Sequence, residues 1–113
     1  MLNNVVLQGR LTAAPELRTT TTGKNVCTFR IACDRNFGDK QADFIDCVAW
    51  NNEAVFINSH FFKGSLIFVC GSLQSRNYED KNGQKRTSYE VIVREAFFGD
   101  SKKKDESDFD EVF

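Results

Sequence analysis

The sequence predicts an all-β fold: a five-stranded barrel with one short helix between the third and fourth strands, followed by a short acidic tail. Three observations predict it. Apolar and polar residues alternate in five separate segments, which is the pattern of half-buried strands. One segment, after the third of these, changes to helical spacing. The chain has 113 residues, 41% of them hydrophobic, which suffices for one domain with a modest core.

The first strand is predicted over residues 4–11, where apolar residues such as Leu7 alternate with polar residues such as Arg10. Pro15 ends it, because proline has no N–H to donate to a neighbouring strand. The four threonines of residues 19–22 are predicted to form a loop. The alternative is that their hydroxyl groups contact phosphate.

The second strand is predicted over residues 24–35, where Phe29 and Cys33 lie on the core face. The segment that follows, residues 36–43, is polar except for Phe37. This ring has no obvious core to fill. A contact with a ligand is one interpretation, and an ordinary exposed apolar residue is the other.

The third strand is predicted over residues 44–50 and has two unequal faces. Its core face is compact and consists of Ile45, Cys47 and Ala49. Its other face carries Phe44, Asp46, Val48 and Trp50. Because a carboxylate is costly to bury without a partner, this second face is expected to meet solvent or a ligand.

The helix is predicted to begin at residues 51–52, where an asparagine side chain can cap the first turn, and to end at residues 63–64. The residues that recur at helical spacing are Ala54, Ile57 and Phe61. His60 lies near the end of the helix with no nucleophile or acidic residue close by in sequence. A packing or surface role is therefore predicted for it, not catalysis.

Residues 63–94 predict a long β-hairpin whose polar tip, residues 79–86, contains turn-forming Asp, Asn and Gly. Residues 66–70 are apolar at every position, which indicates burial of both strand faces. Beyond Gly71 the strand alternates, and one face carries Ser72, Gln74, Arg76 and Tyr78. A guanidinium beside an aromatic ring suits a flexible polyanion with flat groups, which describes single-stranded nucleic acid.

The predicted order is strand, strand, strand, helix, strand, strand, and the second hairpin arm ends near Phe98. A short helix between the third and fourth strands of a five-stranded Greek-key barrel is the plan of the OB-fold. Residues 1–98 are therefore predicted to form one OB-fold domain and residues 99–113 a separate tail.

The net charge of −1 hides an asymmetry along the chain. Residues 1–98 carry 12 Lys/Arg and 10 Asp/Glu, whereas residues 99–113 carry 3 and 6. A mildly basic body with an acidic end is compatible with a nucleic-acid partner. Acidic composition predicts a disordered, solubilising tail. The apolar groups of Phe109, Val112 and Phe113 favour a docking role instead, because a purely solubilising tail does not need them.

Several other classes of protein are disfavoured. The four cysteines include no C-x-x-C pair and are expected to be buried reduced thiols, so neither a metal nor another cofactor is expected. No nucleophile–base pair or glycine-rich phosphate loop indicates an enzyme. The longest apolar run, residues 66–70, is too short to cross a bilayer, and no leader-like segment opens the chain. A soluble cytoplasmic protein without membrane contact is expected.

Four stretches resemble the bacterial and phage single-stranded DNA-binding protein (SSB) family, and the resemblance covers nearly the whole chain. They are VVLQGRLTAAPELR (5–18), VCTFRIACDR (26–35), DFIDCVAWNNEA (43–54) and FFKGSLIFVCGSLQSRNYEDKNGQKRTSYEV (61–91). Together they occur in the family's order, and the chain closes with an acidic segment ending in Phe113.

The resemblance implies sequence-independent binding of single-stranded DNA during replication, recombination and repair. It implies base stacking by four aromatic residues that the strand pattern leaves outside the core: Phe37, Phe44, Trp50 and Tyr78. It implies contacts with the sugar-phosphate backbone from Arg10, Arg18, Arg30, Arg35, Lys63, Arg76, Lys85 and Arg86. The acidic tip is expected to recruit replication or recombination proteins through Asp108, Phe109, Asp110, Glu111, Val112 and Phe113.

The resemblance also implies a homotetramer, in which a neighbouring subunit covers Leu66, Phe68 and Cys70. Three features depart from the family pattern. Asp46 lies on the expected DNA face, where its charge repels phosphate. The Gly/Gln/Pro-rich linker of cellular members is missing, and the tip ends in Asp-Glu-Val-Phe where Pro-Phe is usual. The short linker suggests a phage, plasmid or accessory member acting in the bacterial cytoplasm or nucleoid.

Alternatives remain for the site and for the function. Phe44 and Trp50 are also compatible with a subunit interface, Tyr78 with packing against Tyr89, and the tail with folding back onto the basic groove. Two rival functions are an RNA-binding OB module and a replication-assembly or decoy protein with little affinity for DNA.

Overall fold

The computed structural model describes residues 1–37 and 41–100. Six strands and one helix follow one another along the chain. They are β1 (Val5–Leu11), β2 (Glu16–Thr19), β3 (Asn25–Asp34), β4 (Ala42–Trp50), α1 (Asn51–His60), β5 (Leu66–Glu79) and β6 (Lys85–Phe98).

The strands form a closed barrel. Their order in the sheet is β1-β5-β6-β4-β3-β2, and β1 pairs additionally with β3 at Arg10 and Leu11. This second pairing closes β1, β5, β6, β4 and β3 into a ring, with β2 attached along the far edge of β3. The five-stranded OB-fold barrel predicted from the order of elements is confirmed.

The short strand β2 is not among the predicted strands. Its four residues are all exposed, so no alternation of apolar and polar residues marks it in the sequence. Its pairing with β3, which sets Leu17 opposite Cys27, makes it a strand. Because of this addition, the helix lies between the fourth and fifth strands in chain order. The turn after β2 begins at Thr20 and ends at Lys24, with Gly23 in the left-handed region at φ +88°.

The core lies inside the ring and uses the strand faces that the periodicity predicts. Buried residues alternate along β1, β3, β5 and β6, and each fully buried aliphatic or aromatic side chain contributes about 1.5–3 kcal/mol. The side of β4 that points away from the core contains one exception. Val48, predicted to meet solvent or a ligand, is buried. It lines a cavity of about 340 Å³ together with residues 12–14 of the β1–β2 connection.

Three of the four cysteines, Cys27, Cys33 and Cys47, are buried free thiols. Burial raises the pKa of Cys47 to about 12, so this thiol stays protonated and behaves as a small hydrophobic group. Cys70 is only half-buried because it lies on the side of β5 that points away from the core.

The helix α1 begins at Asn51 without the predicted asparagine cap. Trp50 occupies the N-cap position in an extended conformation, and no side chain caps the first turn. Asn51 itself has a positive φ of 58°, a conformation that asparagine tolerates better than most residues. At the other end, the His60 ring contacts Phe56 and Phe98, with ring centroids 4.9 and 5.8 Å apart. The packing role predicted for this histidine is confirmed.

The hairpin formed by β5 and β6 extends beyond the barrel. β5 pairs with β1 only as far as Gly71 but continues to pair with β6 as far as Glu79. At the point of departure β6 contains a bulge, because Cys70 lies opposite Glu95 whereas Gly71 lies opposite Val93. The Asn3 side chain holds the base of the hairpin. It donates to the Leu73 carbonyl oxygen and accepts from the Leu73 N–H, both at 2.9 Å.

Candidate nucleic-acid interface

The pairing register places three of the predicted stacking residues on one outer face of the sheet. Val48 of β4 pairs in parallel with Ile92, which lies opposite Ser72 of β5. Because side chains alternate along a strand, Phe44 and Trp50 share the face of Val48, and Tyr78 shares the face of Ser72. We call this common surface the outer face. Phe44 and Trp50 lie six residues apart on it, about 20 Å along β4.

The four predicted stacking residues are all exposed to solvent. Their relative exposures are 88% for Phe37, 64% for Phe44, 40% for Trp50 and 45% for Tyr78. Phe37 follows β3 in the connection to β4 and is the most exposed of them. Large rings left uncovered on a folded surface mark a contact site for another molecule when they occur together.

Tyr78 is surrounded by cationic side chains. The Arg76 guanidinium lies 5.9 Å from the centre of the Tyr78 ring, within the range of a cation–π contact. Arg86 lies directly opposite Tyr78 on β6, and Lys85, Arg86 and Tyr78 line one open concavity of about 500 Å³. Tyr89 lies opposite Ser75 and hence on the other face of the hairpin. Packing of Tyr78 against Tyr89 within this chain is therefore excluded.

Two predicted phosphate-binding arginines form ion pairs across β3 and β4. The Nε of Arg30 donates to Asp46 Oδ1 at 2.7 Å, and the two residues are direct neighbours in the strand pairing. Arg35 donates to Asp43 Oδ1 through Nη2 at 2.9 Å and through Nε at 3.2 Å. The hydrogen bond from Arg35 lowers the pKa of Asp43, and the hydrogen bond to Asp46 raises the pKa of Arg30.

A third carboxylate organises the tip of the hairpin. Asp80 Oδ1 accepts from the N–H groups of Asn82 and Gln84, and Oδ2 accepts from Arg86 Nε, each at 2.9 Å. The hydrogen bond from Arg86, together with those from the two N–H groups, lowers the pKa of Asp80. Arg86 therefore has a structural partner in the turn besides its position opposite Tyr78.

The remaining predicted cations are distributed unevenly. In the described part of the chain, no ion pair involves Arg18, Lys63, Arg76 or Lys85. Arg76 shares the face of Tyr78. Lys85 lies opposite Glu79, on the other face of the hairpin, but lines the same concavity as Tyr78. Arg18 lies on β2 at the far edge of the sheet. Arg10 lies opposite Leu66, donates to the Gly64 carbonyl oxygen and is 3.6 Å from Asp100. The structure thus gathers two of these cations around Tyr78 and leaves the others apart from it.

The predicted partner-binding residues, Asp108, Phe109, Asp110, Glu111, Val112 and Phe113, lie outside the described residues. Within residues 1–37 and 41–100, no group of three or more His, Cys, Asp and Glu side chains is arranged to hold a metal ion. In the same ranges, no helix combines the length and apolar character that crossing a membrane requires.

A family model described as "Single-strand binding protein family" matches residues 2–98, which end at the last residue of β6. The chain belongs to this family. The SSB family resemblance carried by the four sequence stretches is thereby confirmed.

Two bacterial relatives show how far the likeness extends. A protein of Enterococcus faecalis named "Single-stranded DNA-binding protein" is 48% identical to this SSB-family chain over 96 residues, which are 81% of this chain. Those residues are 51% of the relative, so the match spans about half its length. "Single-stranded DNA-binding protein 1" of Staphylococcus aureus strain MSSA476 is 43% identical over 114 aligned positions, covering 97% of this chain and 73% of the relative.

Sequence periodicity does not reveal the ion pairs of this SSB-family site. Alternation places Arg30 and Asp46 on outward-facing positions of two different strands, but it does not say which residues are opposite each other. The Arg30–Asp46 pair depends on the register between β3 and β4, which a single sequence leaves open. The same holds for Arg35 and Asp43.

Proposed function

We propose that this protein binds single-stranded DNA irrespective of its sequence and protects it during DNA replication, recombination and repair. One observation carries the proposal: Phe44, Trp50 and Tyr78 are exposed on one outer face, with cations beside Tyr78. Stacking of a base on an aromatic ring contributes roughly 1–3 kcal/mol. Because it needs a base that is free of its partner, single strands are preferred over duplex DNA.

Arginine and lysine side chains supply the second part of the binding energy. Each cation that contacts a phosphate releases condensed counterions, so affinity falls with rising salt and does not depend on base sequence. Arg76 is the best placed, since it is exposed and shares the face of Tyr78. Lys85 is exposed as well and lines the same concavity from the other face of the hairpin. Arg10, Arg18, Arg30, Arg35, Lys63 and Arg86 remain candidates for the same contacts.

The proposal is tested by titrating the protein with oligo-dT, with a duplex of equal length and with structured RNA at matched salt. Trp50 is the single tryptophan of the chain, so quenching of its fluorescence reports binding on the outer face directly. We expect quenching by oligo-dT and little response to the duplex. Stronger binding of RNA would instead favour an RNA-binding module. No response to any nucleic acid at low salt would favour a protein that acts only in assembly.

The chain is proposed to have two functional segments. Residues 1–98 bind DNA, and residues 99–113 recruit replication or recombination proteins. The support is chemical: a carboxyl-terminal phenylalanine after several acids suits an apolar pocket rimmed by Lys and Arg. Phe113→Ala should abolish co-precipitation with replication proteins of the bacterial host and leave oligo-dT affinity unchanged. If it instead tightens DNA binding several-fold, the tail occupies the DNA-binding face.

A homotetramer in the bacterial cytoplasm or nucleoid is proposed as the working form. The support is the outward side of β1, β5 and β6. There Phe68 lies between Gln8 and Phe97, and the outward-facing apolar residues include Val6, Leu66, Phe68, Cys70 and Phe97. Apolar residues on a sheet face without a covering layer are typical of a subunit interface. Light scattering should give the mass of four chains, and the mass of one chain would refute the assembly.

A further inference from the structure

Two of the arginines expected to bind phosphate already have an anionic partner on the neighbouring strand. Arg30 and Asp46 are paired through Nε–Oδ1 at 2.7 Å, with a second contact between Nη2 and Oδ2 at 3.4 Å. Arg35 is paired with Asp43 in a similar two-point manner. Each of these four side chains is about half exposed. The Arg30–Asp46 pair lies on the outer face, because Asp46 shares the side of Phe44 and Trp50 on β4. Asp43 alternates with Phe44 and therefore lies on the opposite side of β4.

The outer face therefore has two parts with different electrostatics. On β3 and β4 the rings of Phe44 and Trp50 accompany Arg30, whose charge Asp46 neutralises within the chain. On the hairpin the Tyr78 ring accompanies Arg76, and Lys85 lines the same concavity from the other face of the hairpin. In the described part of the chain neither cation is in an ion pair. Only the second part presents cations whose counterions are free to be released.

We propose that Asp46 is an affinity-setting residue that competes with the DNA phosphates for Arg30. This inference rests on the proposed binding of single-stranded DNA and adds a regulating residue to the same site. A phosphate that approaches Arg30 exchanges one anionic partner for another, which gains little. The displaced carboxylate then remains close to the phosphate and repels it.

The competition has a measurable consequence for the salt dependence of binding. Each phosphate neutralised on a single strand adds about 0.7 to the slope of log affinity against log salt. An arginine that stays with its carboxylate adds nothing to this slope. DNA on β3 and β4 is then held mainly by stacking, which is insensitive to salt, and DNA on the hairpin is held by stacking and by ionic contacts.

The test compares full-length wild type, Asp46→Asn, Asp34→Asn and the double variant Arg30→Gln/Asp46→Asn. Binding of fluorescein-labelled oligo-dT is followed by anisotropy over a range of salt concentrations. Asp34→Asn is the matched control, because it makes the same charge change on the outward side of the same strand pair. In the described residues no ion pair involves Asp34.

Asp46→Asn is expected to bind oligo-dT roughly fivefold more tightly at low salt, with a slope steeper by about 0.7 for each subunit that the strand contacts. Asp34→Asn should change the slope by much less. In the double variant the gain in affinity should disappear, because the Arg30 guanidinium that the loss of Asp46 would free for phosphate is no longer present. If Asp46→Asn changes the affinity and the salt slope no more than Asp34→Asn does, the inference is overturned.

Persistence of the gain in the double variant overturns it as well, since Asp46 would then act by repulsion alone and not through Arg30. Failure of the wild-type protein to bind oligo-dT at any salt concentration is a different result. It would refute the proposed function itself, and the inference with it. The three outcomes are distinguishable in one set of titrations.

Discussion

Replacement of Trp50 by alanine is expected to weaken oligo-dT binding by roughly 10- to 100-fold, which corresponds to the loss of one stacked base. Trp50 is the largest ring on the outer face and is 40% exposed in the single chain. Its side chain does not cap α1, so its removal should not cost the helix a hydrogen bond. Anisotropy of labelled oligo-dT at fixed salt measures the change, and circular dichroism checks that the barrel remains folded.

Val55→Ala is the matched control for this experiment. Val55 is 40% exposed, as Trp50 is, but it lies on helix α1 and not on the sheet that carries the outer face. Truncation of an exposed apolar side chain that is not among the proposed DNA contacts should leave affinity within about twofold of wild type. If Trp50→Ala binds DNA as well as Val55→Ala does, stacking at Trp50 does not contribute. Trp50 would then be better explained as a subunit-interface residue, which mass measurement of the variant can test.

The second large effect concerns the stability of the barrel. Gly71→Ala is expected to lower the free energy of unfolding by about 3 kcal/mol or more. A Cβ atom at position 71 would overlap the carbonyl oxygen of Ile92 on the paired strand β6. The close approach occurs beside the bulge at Arg94, where the hairpin leaves the barrel. Because the opposing atoms belong to the backbone, the two strands must separate to accommodate the methyl group.

Gly83→Ala separates this clash from the general effect of replacing a glycine. Gly83 has a φ of +78° in the hairpin turn, and a Cβ atom there would meet no atom within 4 Å. Only the strain of a left-handed alanine is expected, about 1 kcal/mol. Urea unfolding followed by circular dichroism compares the two variants. Equal destabilisation by both substitutions would contradict the predicted steric overlap at Gly71.

Much of the fold follows from local patterns. Alternation along β3 predicts that Phe29 and Cys33 enter the core, and both are buried. Helical spacing predicts the buried sites Ala54 and Ile57. These patterns suffice because each strand or helix turns its apolar side chains toward one common core, so the period of burial is already present in the linear sequence.

Local patterns fail where the neighbour of a residue comes from a distant part of the chain. β2 exists because β3 provides hydrogen-bonding partners, not because Glu16–Thr19 has a strand-like pattern. Val48 is buried although it points away from the core, and residues 12–14, from a distant part of the chain, line the same cavity. Helix α1 begins without an asparagine cap because Asn51 adopts a positive φ directly after β4.

For the proposed DNA-binding face, the linear sequence alone singled out the rings of Phe37, Phe44, Trp50 and Tyr78, because each lies off the core face of its strand or has no core to fill. Folding supplied the relations between side chains. In the folded chain Phe44, Trp50 and Tyr78 lie on one side of the sheet. Tyr89 lies on the other side of the hairpin from Tyr78. Arg30 forms an ion pair with Asp46 on the neighbouring strand. The physical reason is that exposure depends on the period of one strand, whereas an ion pair depends on the register between two.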